Sequence, residues 1–139
     1  MAELVEGAIE VERLLAAAAR PDCGAVVLFL GTTRDHHEGR EVVRLEYEAY
    51  RPMALAALEQ TERDAVERHA VASCRIVHRL GVVPAAEASV AVVVAAAHRS
   101  AAFDACRWAM DQVKNTAPIW KKEHYAGGDT GWGEGKKLE

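Results

Sequence analysis

The lysines of this chain are gathered in its C-terminal part, on both sides of a proline. All five lie at or after position 114, whereas all twelve arginines lie before it. A lysine can lose its proton when buried and then act as a nucleophile or a base, whereas arginine stays charged. Pro118 ends a helix that runs into it and favours an extended Ala117. We therefore expect Lys114 on the last turn of a helix and Lys121 on the extended segment that follows, so that both amines could reach one pocket.

The same lysines also have an ordinary structural explanation. A lysine near a helix C-terminus interacts favourably with the helix dipole. A run such as Lys121-Lys122-Glu123 is typical of a solvated strand face, because lysine is mostly exposed in folded proteins. The spacing by itself leaves both interpretations open.

Arginine and histidine side chains occur at two places where a buried strand is predicted to end. Arg34 follows the apolar strand Ala25–Leu30, and a guanidinium there can present a fork to an anion. His98 and Arg99 lie where the most apolar strand leads into a helix, for which Ser100 is a good N-cap. Free backbone N–H groups and the helix dipole at such a junction favour a phosphate. The alternative for His98 is an ordinary hydrogen-bonded histidine at a strand end.

The loop predicted at residues 31–41 carries four potential metal ligands, Asp35, His36, His37 and Glu38. Successive side chains of an extended segment point to opposite faces, so adjacent histidines chelate one ion poorly. We therefore predict no metal site and treat a metal protein as an alternative hypothesis only. A loop of this length and charge is either mobile or functional.

Length and composition are those of one domain of ordinary charge. The chain has 139 residues, 50% of them hydrophobic, with a net charge of −4 and a pI near 5.9. We predict a single domain over residues 1–139, and the acidic balance argues against a nucleic-acid surface. The longest apolar run, Val90–Ala97, is too short to span a bilayer, and no basic segment indicates a signal peptide. Cys23, Cys74 and Cys106 show no zinc spacing, which favours reduced thiols in a cytoplasmic protein.

Hydrophobic patterning predicts a mixed fold of strands and helices. The run Ser89–His98 does not alternate, so we expect both of its faces to be covered. Val43, Leu45, Tyr47 and Ala49 are expected on one face of another strand. His78 and Arg79 are expected on a strand face or edge, and residues 81–88 in a turn. The predicted strands are Leu4–Ile9, Ala25–Leu30, Val43–Tyr50, Cys74–Leu80, Ser89–His98, Ile119–Tyr125 and a last short element at Thr130–Glu134; the predicted helices are Val11–Arg20, one from Pro52, and one from Ser100 to about Asn115.

In an ordered set of segments, the chain resembles the large, catalytic subunits of molybdopterin synthase. The resemblance covers nearly all of the chain from about Gly24 to Glu134. Each segment alone is weak, whereas their order and spacing are specific. The matching segments are Gly24–Gly31 followed by Thr32-Thr33-Arg34-Asp35-His36, Leu45–Tyr50 with Met53, Val77–Gly81, Ala97–Phe103 and Lys114–Glu123.

The resemblance implies a fold, a reaction and partners. The fold would be α/β (α+β), of the α/β hammerhead type with an additional small antiparallel sheet. The reaction would transfer sulfur from the C-terminal thiocarboxylate of a small ubiquitin-like carrier subunit, ending in Gly-Gly, to cyclic pyranopterin monophosphate. The product would be the dithiolene of molybdopterin. A homodimer of large subunits would form the core of a heterotetramer, and no cofactor is implied.

The resemblance also implies roles for particular residues. Lys114 and Lys121 would be catalytic, whereas the substrate's phosphate and pterin would be bound by Arg34, His98 and Arg99. Lys136 matches a basic residue that reaches the pocket of a neighbouring subunit.

Two departures from the family pattern are visible. The stretch Asp129–Trp132 is one residue longer than in some members, which affects the match of Lys136, and Ala85-Ala86-Glu87 lacks a glycine that often precedes the acid. The alternative function is a non-catalytic scaffold or pterin-phosphate-binding module that binds the small carrier. The presence of both Lys114 and Lys121 favours the enzyme.

Overall fold

The computed structural model describes residues 1–133 of the chain. These residues form three helices and two sheets, which is the predicted α+β architecture with an additional antiparallel sheet. None of the three helices in this range is long and apolar enough to cross a membrane. The helices are α1 (Val11–Ala18), α2 (Arg51–His69) and α3 (Arg99–Thr116); the strands are β1 (Glu3–Val5), β2 (Ala25–Thr32), β3 (His36–His37), β4 (Arg40–Ala49), β5 (Ser73–Arg79), β6 (Gly81–Pro84), β7 (Ala88–Ala96), β8 (Ile119–Tyr125) and β9 (Thr130–Gly133).

The first sheet is built around β7, which is covered on both faces as its sequence predicts. The strand order is β1-β5-β7-β2, with β1 parallel to β5 and the other pairs antiparallel. Even-numbered residues of β7, such as Val92 and Val94, pack in the main core with α2 and α3. Ala91 and Val93 pack on the other face against Leu14 of α1. A strand with two apolar faces has no reason to alternate, which explains the continuous run of Val and Ala.

The second sheet is antiparallel, in the order β3-β4-β8-β9, with β6 also paired to β4. The inner face of β4 carries Val42, Leu45 and Tyr47, whereas Val43 is 43% exposed. The prediction that Val43 shares a face with Leu45 and Tyr47 is therefore wrong. A register shift between Val42 and Arg44 adds one residue to β4 at this point, which reverses the side-chain alternation.

Two short strands lie where the sequence predicts a loop and a turn. Residues 31–41 contain β3, which forms a hairpin with β4, and the turn has Glu38 at φ 51° and Gly39 at φ 79°. Positive φ at both central residues is typical of a tight two-residue hairpin turn. Residues 81–88 contain β6, and β1 ends at Val5, earlier than predicted. Strands of two to four residues are too short for a periodic signal.

His78 and Arg79 are buried, which corrects their predicted place on a strand face or edge. Strand β5 lies between β1 and β7, and His78 is 2% exposed. Its Nδ1–H donates a hydrogen bond of 2.8 Å to the Arg79 carbonyl, and its ring meets Tyr47 edge-on at 5.0 Å. Arg79 donates to Glu87 at 2.9 Å. Burial lowers the pKa of His78 to about 4 because the charged imidazolium loses its hydration.

Helix α3 follows β7 directly and sets the position of Lys114. Its buried stripe is the predicted one, with Ala102, Cys106, Ala109 and Val113 all in the core. Its N-cap is His98 rather than the predicted Ser100, and no side chain caps it. The helix ends at Thr116, Ala117 is extended, and Pro118 leads into β8. Lys114 therefore lies on the last turn of α3, as predicted.

The low pKa of His78 predicts a loss of stability in mild acid. The unfolded chain binds a proton at His78 near pH 6.5, whereas the folded chain does so only near pH 4. Stability from this group is therefore complete above about pH 6.5 and is lost as the pH falls toward 4, by about 3 kcal/mol in total. Denaturant unfolding at pH 7.5 and 4.5 measures this difference. His78→Gln cannot be protonated and should lose less stability between these two pH values than wild type; equal losses would contradict the prediction.

Candidate active site

A cavity of about 110 Å³ lies where the last turn of α3, the end of β2 and the inner face of the second sheet meet. Lys114 and Lys121 both line it, and so does Arg34. The structure thus brings together the two predicted catalytic lysines and one predicted anion-binding arginine. The cavity is lined by Phe29, Gly31, Thr32, Arg34, His36, His37, Val42, Leu45, Tyr47, Ser89, Val90, Met110, Lys114, Lys121 and Glu123.

Side chains of β8 alternate between the two faces of the strand, and this alternation determines which of its charged residues face the cavity. Lys121 and Glu123 lie on the inner face together with buried Ile119, whereas Trp120 and Lys122 lie on the outer face. Lys121 is paired across the sheet with Tyr47 of β4. Lys114 reaches the same cavity from α3 and is half-buried. The adjacent residues Lys121 and Lys122 therefore point to opposite faces of the sheet, Lys121 toward the cavity and Lys122 away from it.

Arg34 is held at the cavity because its neighbour Thr33 is hydrogen-bonded through both its backbone N–H and its backbone carbonyl. The Thr33 N–H donates to the Glu87 carbonyl at 3.0 Å, and the Thr33 carbonyl accepts from the Ala86 N–H at 2.8 Å. Just before this point, a Cβ on Gly31 would lie 2.6 Å from Cγ1 of Val90, so only glycine lets β2 approach β7 so closely. The Arg34 side chain itself is exposed.

His98 and Arg99 lie at the opposite end of the fold from this cavity. They are exposed at the start of α3, whereas Lys114 is on its last turn. The fifteen residues from Arg99 to Lys114 correspond to about 22 Å of helix. The course of β7 also separates His98 from the cavity. Ser89, near the start of this strand, lines the cavity, whereas His98 follows the end of the strand. One chain therefore does not bring these two residues to the lysines, and Lys136 lies outside the described residues.

Glu123 is the main pocket residue that the sequence did not reveal. It is 6% exposed, and Oε1 accepts a hydrogen bond of 2.8 Å from the Tyr125 hydroxyl. Its other oxygen, Oε2, lies 3.8 Å from Nδ1 of His37. The sequence Lys-Lys-Glu resembles a solvated strand, and only the alternation of β8 indicates that Glu123 shares a face with Lys121. The hydrogen bond to the Glu123 carboxylate raises the pKa of Tyr125.

Tyr47 is the second such residue, and it joins the pocket to the core. Its hydroxyl lies 3.4 Å from Oγ of Ser89, which lies 3.3 Å from the Gly31 carbonyl. Burial raises the pKa of Tyr47 because a phenolate would be poorly solvated there. Its ring meets that of His78 edge-on, so the pocket wall packs directly against the buried histidine.

The charged hairpin beside the pocket does not assemble a metal site. His36 Nδ1 lies 3.0 Å from Asp35, and His37 Nε2 lies 3.6 Å from Glu38. Across residues 1–133, no group of three or more His, Cys, Asp or Glu side chains is arranged to hold a metal ion. Both histidines of the hairpin instead line the cavity.

The pocket can bind an anion and exchange protons with it. Arg34, Lys114 and Lys121 supply three cationic groups around one buried carboxylate, Glu123. Ammonium and guanidinium groups stabilise phosphate or carboxylate charge, and a lysine amine can also transfer a proton. Fold and pocket together define a small α+β protein whose pocket is lined by two lysines and an arginine.

Comparison with known proteins agrees with this class. Residues 4–116 match the family described as MoaE protein. The molybdopterin synthase catalytic subunit of Culex quinquefasciatus is 44% identical over 133 residues, which is 94% of this chain and 85% of that protein. The chain belongs to this family, that of the catalytic subunits of molybdopterin synthase, and the resemblance seen in its motifs is confirmed.

Solved structures give the same fold. The crystal structure of molybdopterin synthase from Staphylococcus aureus aligns with a TM-score of 0.89 at 34% identity, over 94% of this chain and 95% of that chain. A complex of subunits 1 and 2 of the molybdopterin-converting factor from Helicobacter pylori aligns with a TM-score of 0.75 at 23% identity, over 90% and 85% of the two chains. The predicted fold class is therefore confirmed.

The contact between Glu123 and Tyr125 predicts a measurable change in tyrosine ionisation. Glu123→Gln removes the negative charge that opposes a phenolate, so the pKa of Tyr125 should fall toward its ordinary value. Titration of ¹³Cζ-labelled tyrosine by NMR measures this pKa. Tyr47 is the internal control, because its raised pKa arises mainly from burial and should move less. An unchanged Tyr125 would mean that the hydrogen bond is absent in solution.

Proposed function

We propose that this protein transfers sulfur from the C-terminal thiocarboxylate of a small ubiquitin-like carrier subunit to cyclic pyranopterin monophosphate, forming the dithiolene of molybdopterin. The observation that carries the proposal is the shared cavity of Lys114 and Lys121, with Arg34 beside them, in a chain of the molybdopterin synthase catalytic subunit family. The reaction belongs in the cytoplasm, where the free thiols Cys23, Cys74 and Cys106 stay reduced.

The charge of the pocket suits both reactants. The pterin phosphate and the thiocarboxylate are anions, while the chain as a whole carries a net charge of −4. The pocket nevertheless has three cationic side chains, Arg34, Lys114 and Lys121, at the place where both anions would meet. The Arg34 guanidinium offers a two-pronged donor to the phosphate, and the lysine ammonium groups offset the charge of the thiocarboxylate.

The two lysines also suit the proton transfers that the reaction needs. Replacing a carbon-bound oxygen by sulfur requires a proton on the departing oxygen, and regenerating a carboxylate on the carrier consumes water. A positioned general acid or base contributes typically 10² to 10⁴-fold to such steps. Lys114 and Lys121 approach the cavity from a helix and a strand that are both anchored in the core, so their amines are held on two sides of one ligand.

The size of the cavity fits the end of a tail rather than a folded domain. A volume of about 110 Å³ accommodates an extended Gly-Gly segment, which has no side chains, while the body of the carrier docks outside. In support of a two-subunit assembly, the Helicobacter pylori relative was solved as a complex of two subunits.

We further propose a homodimer core within a heterotetramer, because His98 and Arg99 can join Lys114 only from a second copy. A groove of about 390 Å³ runs between β2 and α3 and shares Phe29, Met110 and Lys114 with the cavity. Phe103 in this groove is 60% exposed, and Phe29 is 39% exposed. Strand β2 is also an edge of its sheet. A second copy seated here would bury these rings and extend the cavity.

Substitution of the pocket lysines tests the catalytic proposal. With a thiocarboxylated carrier and cyclic pyranopterin monophosphate, Lys114→Ala and Lys121→Ala should each lower the rate of dithiolene formation by about 100-fold or more. Lys122→Ala is the matched control, because Lys122 lies on the outer face over Trp132 at 5.5 Å and should keep nearly full activity. If wild type binds both reactants but forms no product, the protein is a binding module instead.

Mixed dimers test whether His98 and Arg99 act across the dimer. Chains with Lys114→Ala and chains with Arg99→Ala, each inactive alone, are co-expressed in equal amounts. Half of the dimers are then mixed, and each mixed dimer has one intact pocket, so about one quarter of wild-type activity should return. The control pair of Lys114→Ala with Lys121→Ala damages every pocket and should stay inactive. No recovery in the first pair would mean that Arg99 does not act on the neighbouring pocket.

A further inference from the structure

A line of ionisable groups connects the interior of the pocket to water. Glu123 Oε2 lies 3.8 Å from Nδ1 of His37, and Nε2 of the same ring lies 3.6 Å from Oε1 of Glu38. The exposed fraction of these side chains rises along the line, from 8% for Glu123 to 31% for His37 and 83% for Glu38. The imidazole therefore stands between a buried carboxylate and a solvated one.

We propose that His37 relays protons between Glu123 in the pocket and the solvent during the proposed sulfur transfer, on which this inference rests. With the carrier tail and the pterin in place, the mouth of the cavity is filled, and the buried Glu123 has no direct contact with bulk water. Protons that the chemistry releases or takes up then need a path through the wall. The hairpin of β3 and β4 provides that path through a single side chain.

Nothing is oxidised or reduced in the relay, and each proton that one group releases is taken up by the next group. A protonated Glu123 gives its proton to Nδ1 of a neutral His37, which becomes an imidazolium; Nε2–H then gives one proton to the Glu38 carboxylate, which passes that proton on to water. The reverse sequence brings a proton in, and a flip of the half-exposed ring resets its tautomer. Both gaps exceed a direct hydrogen bond of about 3 Å, so one bridging water or a small ring rotation completes each step.

The surroundings of His37 fit a group that must change charge. Its cross-strand neighbour Arg40 is engaged elsewhere, with its guanidinium 3.8 Å from the Tyr125 ring and 2.9 Å from Asp129. The cavity side carries Arg34, Lys114 and Lys121, and the carboxylates of Glu123 and Glu38 lie beside the two ring nitrogens of His37. The turn at Glu38 and Gly39, with positive φ at both, keeps the outer carboxylate at the tip of the hairpin.

Chemical rescue tests the relay in the complete system of protein, thiocarboxylated carrier and cyclic pyranopterin monophosphate. His37→Ala should slow dithiolene formation about tenfold, and added imidazole should restore the rate in proportion to its concentration, because it diffuses into the vacated position. His36→Ala is the matched comparison: whatever its own rate, imidazole should not raise it. His37→Gln has a similar size but cannot be protonated, so it should be as slow as His37→Ala.

The outcomes separate the relay from the proposed function. An active wild type with a slow, imidazole-rescued His37→Ala supports both. An active wild type with a slow variant that imidazole does not rescue, or with a variant at full speed, overturns the relay alone. If His37→Ala does not fold, a fully active His37→Gln overturns the relay in the same way. An inactive wild type overturns the proposed function and the relay with it.

Discussion

The break between α3 and β8 is the constraint on which the pocket depends. Pro118 has no N–H and cannot continue the helix, so the chain must leave α3 immediately after Lys114 has entered the cavity wall. The change of direction is anchored, since Ala117 is buried and its N–H donates to the Val113 carbonyl at 3.2 Å, while the Pro118 carbonyl accepts from the Tyr50 N–H at 3.3 Å. A helix and a strand thus present two amines to one space within seven residues of chain.

Packing around β7 fixes the position of α3, which carries Lys114, relative to the second sheet, which carries Lys121. The main core is continuous from the helices through β7 to the inner face of the second sheet, where Leu45, Tyr47 and Val83 belong to the same cluster as Val92 and Val94. A movement of the second sheet relative to α3 would therefore open voids in this cluster, at a cost of roughly 1 kcal/mol for each void the size of a methyl group. This apolar core therefore fixes the positions of Lys114 and Lys121 relative to each other.

Much of the fold follows from patterns that are local in the sequence. The continuous apolar run of β7, the stripe of α3 and the helix end before Pro118 are each decided by nearby residues, and the structure agrees with them. The environments of His78 and Glu123 are decided by distant strands: β1 covers the edge of β5, and β4 places Glu123 in a wall with His37. A bulge in β4 places Val43 on the face opposite to the predicted one, because one extra residue inverts the alternation of side chains. The sequence gives no local signal for this bulge.

The candidate site shows the same division. The types and spacing of Lys114 and Lys121 indicated a shared pocket, and Arg34 followed from its place after a buried strand. The length of the predicted helix already separates His98 and Arg99 from Lys114. The presence of Glu123 and Tyr47 in the pocket wall depends instead on the pairing of β4 with β8, which was not visible in the sequence.

The length of α3 has a further consequence. The helix is a rigid rod that carries Arg99 at one end and Lys114 at the other, so it fixes both the distance and the angle between them. Inserting one residue in its middle would lengthen the rod by about 1.5 Å and rotate one end by about 100° relative to the other. An extra residue in the exposed turn at Gly127-Gly128 would leave this distance and angle unchanged, because that turn lies outside the helix.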